Sequence, residues 1–152
     1  PDGAVAASPG EDVPEVPSRD PKFDAIEADI EAGRWDQALE GYRALLRAKP
    51  GDVVAQQGIL NVELMRRTDG MDFDAVLALV GATADEQMQI ADAEFLLGRY
   101  DAAFQRLVNV VRAETGEQRA TARERLLAFF DIVGATDPAV VAGRTALSNA
   151  LF

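Results

Sequence analysis

At 152 residues with 48% hydrophobic content, the chain is long enough for one domain with a real core plus a tail. Its formal charge of -11 argues against nucleic acid or an anionic membrane surface as a partner, since either needs a basic face to displace counterions. The absence of cysteine and histidine removes thiol redox chemistry, Cys/His nucleophile pairs, zinc fingers and most transition-metal sites, so no cofactor and no metal is expected.

Residues 1–19 hold Pro9, Pro14 and Pro17 among small and acidic residues without a sustained apolar period, the pattern of a linker or disordered arm. Asp20-Pro21 then starts a first helix carrying Phe23, Ile26 and Ile30, which Gly33 ends. A second helix spans Trp35 to Ala48 with Trp35, Leu39, Tyr42, Leu45 and Leu46 on one side, closed by Pro50-Gly51. Asp52 caps a third, to Thr68, with Leu60, Leu64 and Met65. A short fourth runs from Phe73 to Val80 with Val76, Leu77 and Val80 inward.

Thr83-Ala84-Asp85-Glu86 is a capping-box pattern that opens a fifth helix to Leu97. The sixth has the clearest period: Tyr100, Ala103, Phe104, Leu107, Val108 and Val111 form one buried stripe. The seventh, after Gly116, carries Ala122, Leu126, Phe129, Phe130 and Val133, and Thr136-Asp137-Pro138 begins an eighth that reaches Phe152. No segment alternates as a strand does, so the chain reads as all-α.

The stretch Gly33-Arg34-Trp35-Asp36-Gln37-Ala38-Leu39 returns as Gly98-Arg99-Tyr100-Asp101-Ala102-Ala103-Phe104, with a weaker copy at Gly70-Met71-Asp72-Phe73-Asp74-Ala75-Val76. This spacing is close to two periods of a 34-residue helix-turn-helix repeat. Gly33, Trp35, Ala38, Tyr42, Leu45 and Pro50 occupy the second half of a tetratricopeptide repeat, while Ile26 and Leu60 stand where the motif prefers a small residue. The expected architecture is a tetratricopeptide-like array of about eight helices over residues 20–152: three degenerate hairpins plus a C-terminal pair.

The pattern from Pro21 to Phe152 resembles the C-terminal tetratricopeptide region of the thioredoxin-like chaperedoxins (the YbbN or CnoX family) in its actinobacterial form. The resemblance lies in Ala91-Asp92-Ala93-Glu94, Asp101 to Leu107, Arg123 to Phe130, Gly134 through Pro138, and Arg144 to Phe152. It implies a co-chaperone or holdase that binds unfolding clients and passes them to a chaperonin. It also implies an N-terminal thioredoxin-like domain that is absent here, with residues 1–19 as the interdomain linker.

Several surfaces are candidates for binding. The first-helix face of each hairpin presents Glu27, Gln57, Asn61, Met65, Met88, Asp92 and Phe95; methionines among amides suit adaptable apolar contact, and core filling by Met65 and Met88 is the competing reading. Lysine is missing there and Glu27 repels anions, so a carboxylate clamp for chaperone tails is not expected. In the last helix Val140, Leu147 and Leu151 form a stripe interrupted by Arg144. The resemblance makes Leu147, Leu151 and Phe152 an exposed anchor for the chaperonin, while a capping helix is the alternative. If the anchor holds, truncation after Ala146 leaves the melting temperature nearly unchanged.

Trp35 and Tyr100 read as packing residues at the helix junctions. The chain is expected to serve interaction rather than catalysis. The alternatives kept beside the holdase are a scaffold or self-association module for one partner, and the non-catalytic part of a thioredoxin-type oxidoreductase. Without a membrane span or signal peptide the expected location is the cytoplasm.

Overall fold

The computed structural model describes residues 20–152, and the expected linker over residues 1–19 lies outside them. Among the described residues there are eight helices and no strand: α1 (Pro21–Glu31), α2 (Trp35–Ala48), α3 (Val53–Thr68), α4 (Phe73–Leu77), α5 (Ala84–Leu96), α6 (Tyr100–Ala113), α7 (Gly116–Val133) and α8 (Pro138–Leu151). The all-α array expected from the repeats is therefore the fold observed.

Local chemistry sets most of the helix starts. Asp20, Asp52, Asp72 and Asp137 each accept a backbone N–H of the helix they precede, and Pro21 and Pro138 take first-turn positions where no N–H is needed. Thr83 and Glu86 close the capping box in both directions, at 3.3 and 2.9 Å. The repeated Gly-Arg stretch does something different, because α2 and α6 start without a side-chain cap.

In both copies the turn is a Schellman closure of the preceding helix. Arg34 N–H reaches Asp29 O at 2.8 Å and Gly33 N–H reaches Ile30 O at 3.0 Å, matched by Arg99 to Glu94 at 2.9 Å and Gly98 to Phe95 at 3.0 Å. The glycines hold φ of 69° and 77°, a left-handed conformation that side chains resist.

The fourth helix departs from expectation. It stops at Leu77 and buries no residue, and Val80, expected inward, is 96% exposed. The helix closes at Ala78, whose N–H reaches Asp74 O at 3.1 Å, so Val80 already lies beyond its end, and Gly81, with φ of 66°, turns the chain before α5.

Packing divides the described residues into two cores. One joins α1, α2 and the near side of α3 through Ile26, Leu39, Tyr42, Leu45 and Val62. The larger surrounds α6, which packs against α5, α7 and α8, and it includes Phe95, Phe104, Phe129, Phe130 and Leu147. Phe95 and Phe129 stack at 3.9 Å between centroids, while Phe104 and Phe130 meet edge-to-face at 5.0 Å. Both rings of the Phe129-Phe130 pair are fully buried.

Candidate functional site

The seam between the two cores is the most chemically distinctive place in the molecule. Here α3, α5 and α7, the first helices of successive hairpins, each touch the other two. Gln57 Nε2 on α3 donates to the backbone oxygen of Asp131 near the end of α7, at 3.0 Å. The concave face is thus largely closed by its own walls.

At the centre of that seam Asp92 is 1% exposed and serves two guanidinium groups. Arg67 donates Nε and Nη2 to its two carboxylate oxygens, both at 3.1 Å, and Arg125 donates Nη1 to Oδ2 at 3.1 Å. Three helices are therefore joined through one carboxylate. Burial pushes the pKa of Arg125 down, opposed by the attraction of Asp92 and then deepened by the nearby charge of Arg67.

A second buried pair lies within the third hairpin. Arg106 on α6 holds Glu94 on α5 through Nε at 3.1 Å and Nη2 at 2.7 Å, and its Nη1 donates to Gln87 Oε1 at 2.6 Å. This fork geometry is what arginine supplies and lysine does not. No buried polar side-chain atom among the described residues lacks a partner.

This arrangement joins α3, α5 and α7 through Asp92 and α5 to α6 through Glu94. The seam keeps a cleft of about 350 Å³ lined by Arg67, Asp85, Met88, Gln89, Asp92, Thr121 and Arg125, which contains no activated nucleophile. Among the described residues no group of three or more acidic, cysteine or histidine side chains is placed to hold a metal ion. No helix there is long and apolar enough to cross a membrane.

The residues proposed from sequence for the open face are placed differently by the structure. Met88 and Phe95 are buried in the larger core, and Asp92 is buried as the ion-pair centre, so none of the three meets solvent as an open groove would require. Met65 is half-buried against the smaller core. Phe95 packs on Phe104 of α6 and Phe129 of α7, and Asp92 is held by arginines of α3 and α7, so the stripe of α5 is under cover rather than on display.

Arg67, Arg106, Arg125 and Glu94 were not singled out as a site by their sequence. The signal that could have found them is Asp92, four residues after Met88 and three before Phe95, a carboxylate on an apolar stripe. A charge in that position requires a partner.

The last helix serves as a cap on its inner side. Val140 and Leu147 are buried, and Gly143 sits so close to Phe130 that a Cβ would lie 2.7 Å from its ring. Arg144 lies exposed at the surface, with its guanidinium 5.4 Å from the Phe130 centroid. Leu151 is half-buried and Phe152 is fully exposed. The expected neutrality of truncation after Ala146 is corrected by the burial of Leu147, since removing it exposes core.

Comparison with known proteins follows this geometry. The tetratricopeptide repeat family matches residues 66–152. Uncharacterized proteins of Mycobacterium bovis and of two Mycobacterium tuberculosis strains are each 36% identical over 135 residues, covering 88% of this chain. The chain spans 44% of the length of these relatives. No solved structure matches.

Proposed function

The chain belongs to the tetratricopeptide repeat family, and on that premise we propose that it is the protein-binding domain of a thioredoxin-like co-chaperone, one that holds unfolding clients and passes them to a chaperonin. The observation that carries this reading is a coincidence of sequence with structure. The stretches that resemble the chaperedoxins contain Asp92, Glu94, Arg106 and Arg125, four of the five charged groups that form the two buried ion-pair sets, with Arg67 as the fifth. The last stretch, Arg144 to Phe152, forms the outer part of α8.

Within this reading α8 has two sides. Val140 and Leu147 hold it on α6, while Phe152, with the outer side of Leu151, is the element that meets the chaperonin. Binding by a repeat domain requires no catalytic group, which fits a seam whose buried charges are paired with one another. The greater length of the relatives supports a further domain in the whole protein, for which the thioredoxin-like domain is the candidate.

Two measurements test it. The full-length protein is expected to suppress light scattering by a thermally unfolding test protein at near-equimolar ratio, and no suppression sinks the holdase reading. Phe152→Ser in that protein is expected to abolish capture by a chaperonin without shifting the melting temperature, because a fully exposed ring contributes little to the fold. Capture by the variant equal to that of the parent removes Phe152 as the anchor.

A further inference from the structure

The middle hairpin lacks most of its second helix. α2 and α6 each have 14 residues, whereas α4 has 5, buries none of them and packs substantially only on α5. The shortfall corresponds to about 13 Å of helix at a rise of about 1.5 Å per residue. The chain leaving α4 passes through Ala82 along the rim of an open groove of about 530 Å³.

The floor of the groove is made of small side chains, Ala82 and Ala84 before and at the start of α5 and Ala102 and Ala113 on α6. From Ala102 to Ala113 the α6 face spans about 16 Å, roughly three turns, and therefore more than the missing length. Gln87, Gln105 and Asn109 form its polar wall, with Gln105 Nε2 donating to Asn109 Oδ1 at 3.0 Å. Leu79 and Val80, in the segment that follows α4, are exposed.

Charge limits what can enter. Arg106, the cation in the lining, is already held by both oxygens of Glu94. Glu114 stands at one end, with Arg112, which donates to the lining residue Asn109, as the basic exception, in a chain of formal charge -11. We infer that this groove docks a short amphipathic helix of a partner protein, seated along α6 where the second helix of the middle repeat is missing. The docked helix faces the alanine floor with small apolar residues and carries Lys or Arg at the end that meets Glu114. The inference stands on the incomplete repeat and its groove, and does not depend on the chaperone reading.

A stapled helical peptide of about three turns, with Ala and Leu on one face and Lys at both ends, is the probe. A twin carrying Glu in place of Lys is the comparison. Titrated against the full 152-residue chain by fluorescence anisotropy, the Lys peptide is expected to bind saturably one-to-one, at least about tenfold tighter than the Glu twin. Ala102→Trp and Ala113→Trp, both at exposed helical positions, are expected to weaken it at least about tenfold with the helical signal intact, while Ala120→Trp on α7 leaves it unchanged. Absence of binding, or equal binding by all three variants, overturns the inference. A concentration-dependent dimer that Ala102→Trp dissolves also overturns it, since the occupant is then a second copy of the chain.

Discussion

The hairpins α1–α2 and α5–α6 share one turn and differ in how their helices cross. Position for position, Ile26 and Gly41 in the first correspond to Ala91 and Arg106 in the third. In the first, a Cβ on Gly41 would lie 2.5 Å from Ile26 Cγ1, so the glycine is the seat of the isoleucine. In the third, fully buried Ala91 lies on the first helix, and the second helix carries an arginine that grips Glu94. The same backbone unit can thus be locked by an apolar knob or by a guanidinium fork. The choice decides where charge is buried: Asp29, the counterpart of Glu94, pairs with Arg34 at the surface.

The largest expected effect separates the two hairpins by their carboxylates. Asp92→Ala leaves Arg67 and Arg125 without their shared partner in the seam, at a cost of about 3–5 kcal/mol measured by urea denaturation. Glu27→Ala, the corresponding change at an exposed position of α1, is expected to cost less than about 1 kcal/mol, the range of a surface interaction. Equal costs at the two positions would show that the seam is not the joint between the cores.

A smaller effect tests the knob. Gly41→Ala is expected to destabilise by about 1–3 kcal/mol, because the new methyl group meets Ile26. In an Ile26→Ala background the sign reverses, and the same change stabilises by about 0.5–1 kcal/mol as alanine replaces glycine in a helix. A double-mutant cycle reads the coupling directly. Additive effects would mean that α1 slides to admit the methyl group, and that the knob does not fix the crossing.

The parts of the fold that sequence made legible are those set by short-range chemistry. The caps at Asp20, Asp52, Thr83 and Asp137 and the stripe from Tyr100 to Val111 depend on residues within a few turns, and each appears where its pattern places it. What remained illegible depends on how α3 approaches α7. Periodicity identifies the stripe of Met88, Asp92 and Phe95 as one face, but cannot say whether another helix covers it. Val80 differs because its apolar spacing continues a helix that stops at Leu77. Of the candidate seam, Asp92 at its centre and Met88 beside it are legible from sequence, though as an open face, whereas Arg67, Arg106 and Arg125 required the fold to bring the helices together.

The smallest effect examines what the two hairpins have in common. Gly33 and Gly98 both hold left-handed φ with nothing within 4 Å of an added Cβ, so the cost of alanine is conformational and not steric against neighbours. Each Gly→Ala change should therefore cost about 1–2 kcal/mol, even though one turn adjoins the small apolar core and the other the large one. Thermal unfolding of the two variants, compared at the same concentration, is expected to agree within about 0.5 kcal/mol. A clear inequality would mean that the turn draws its geometry from the core beside it. Equality makes the Gly-Arg-aromatic-Asp stretch a self-contained turn, leaving the difference between the hairpins to the crossing residues and to the missing helix of the repeat between them.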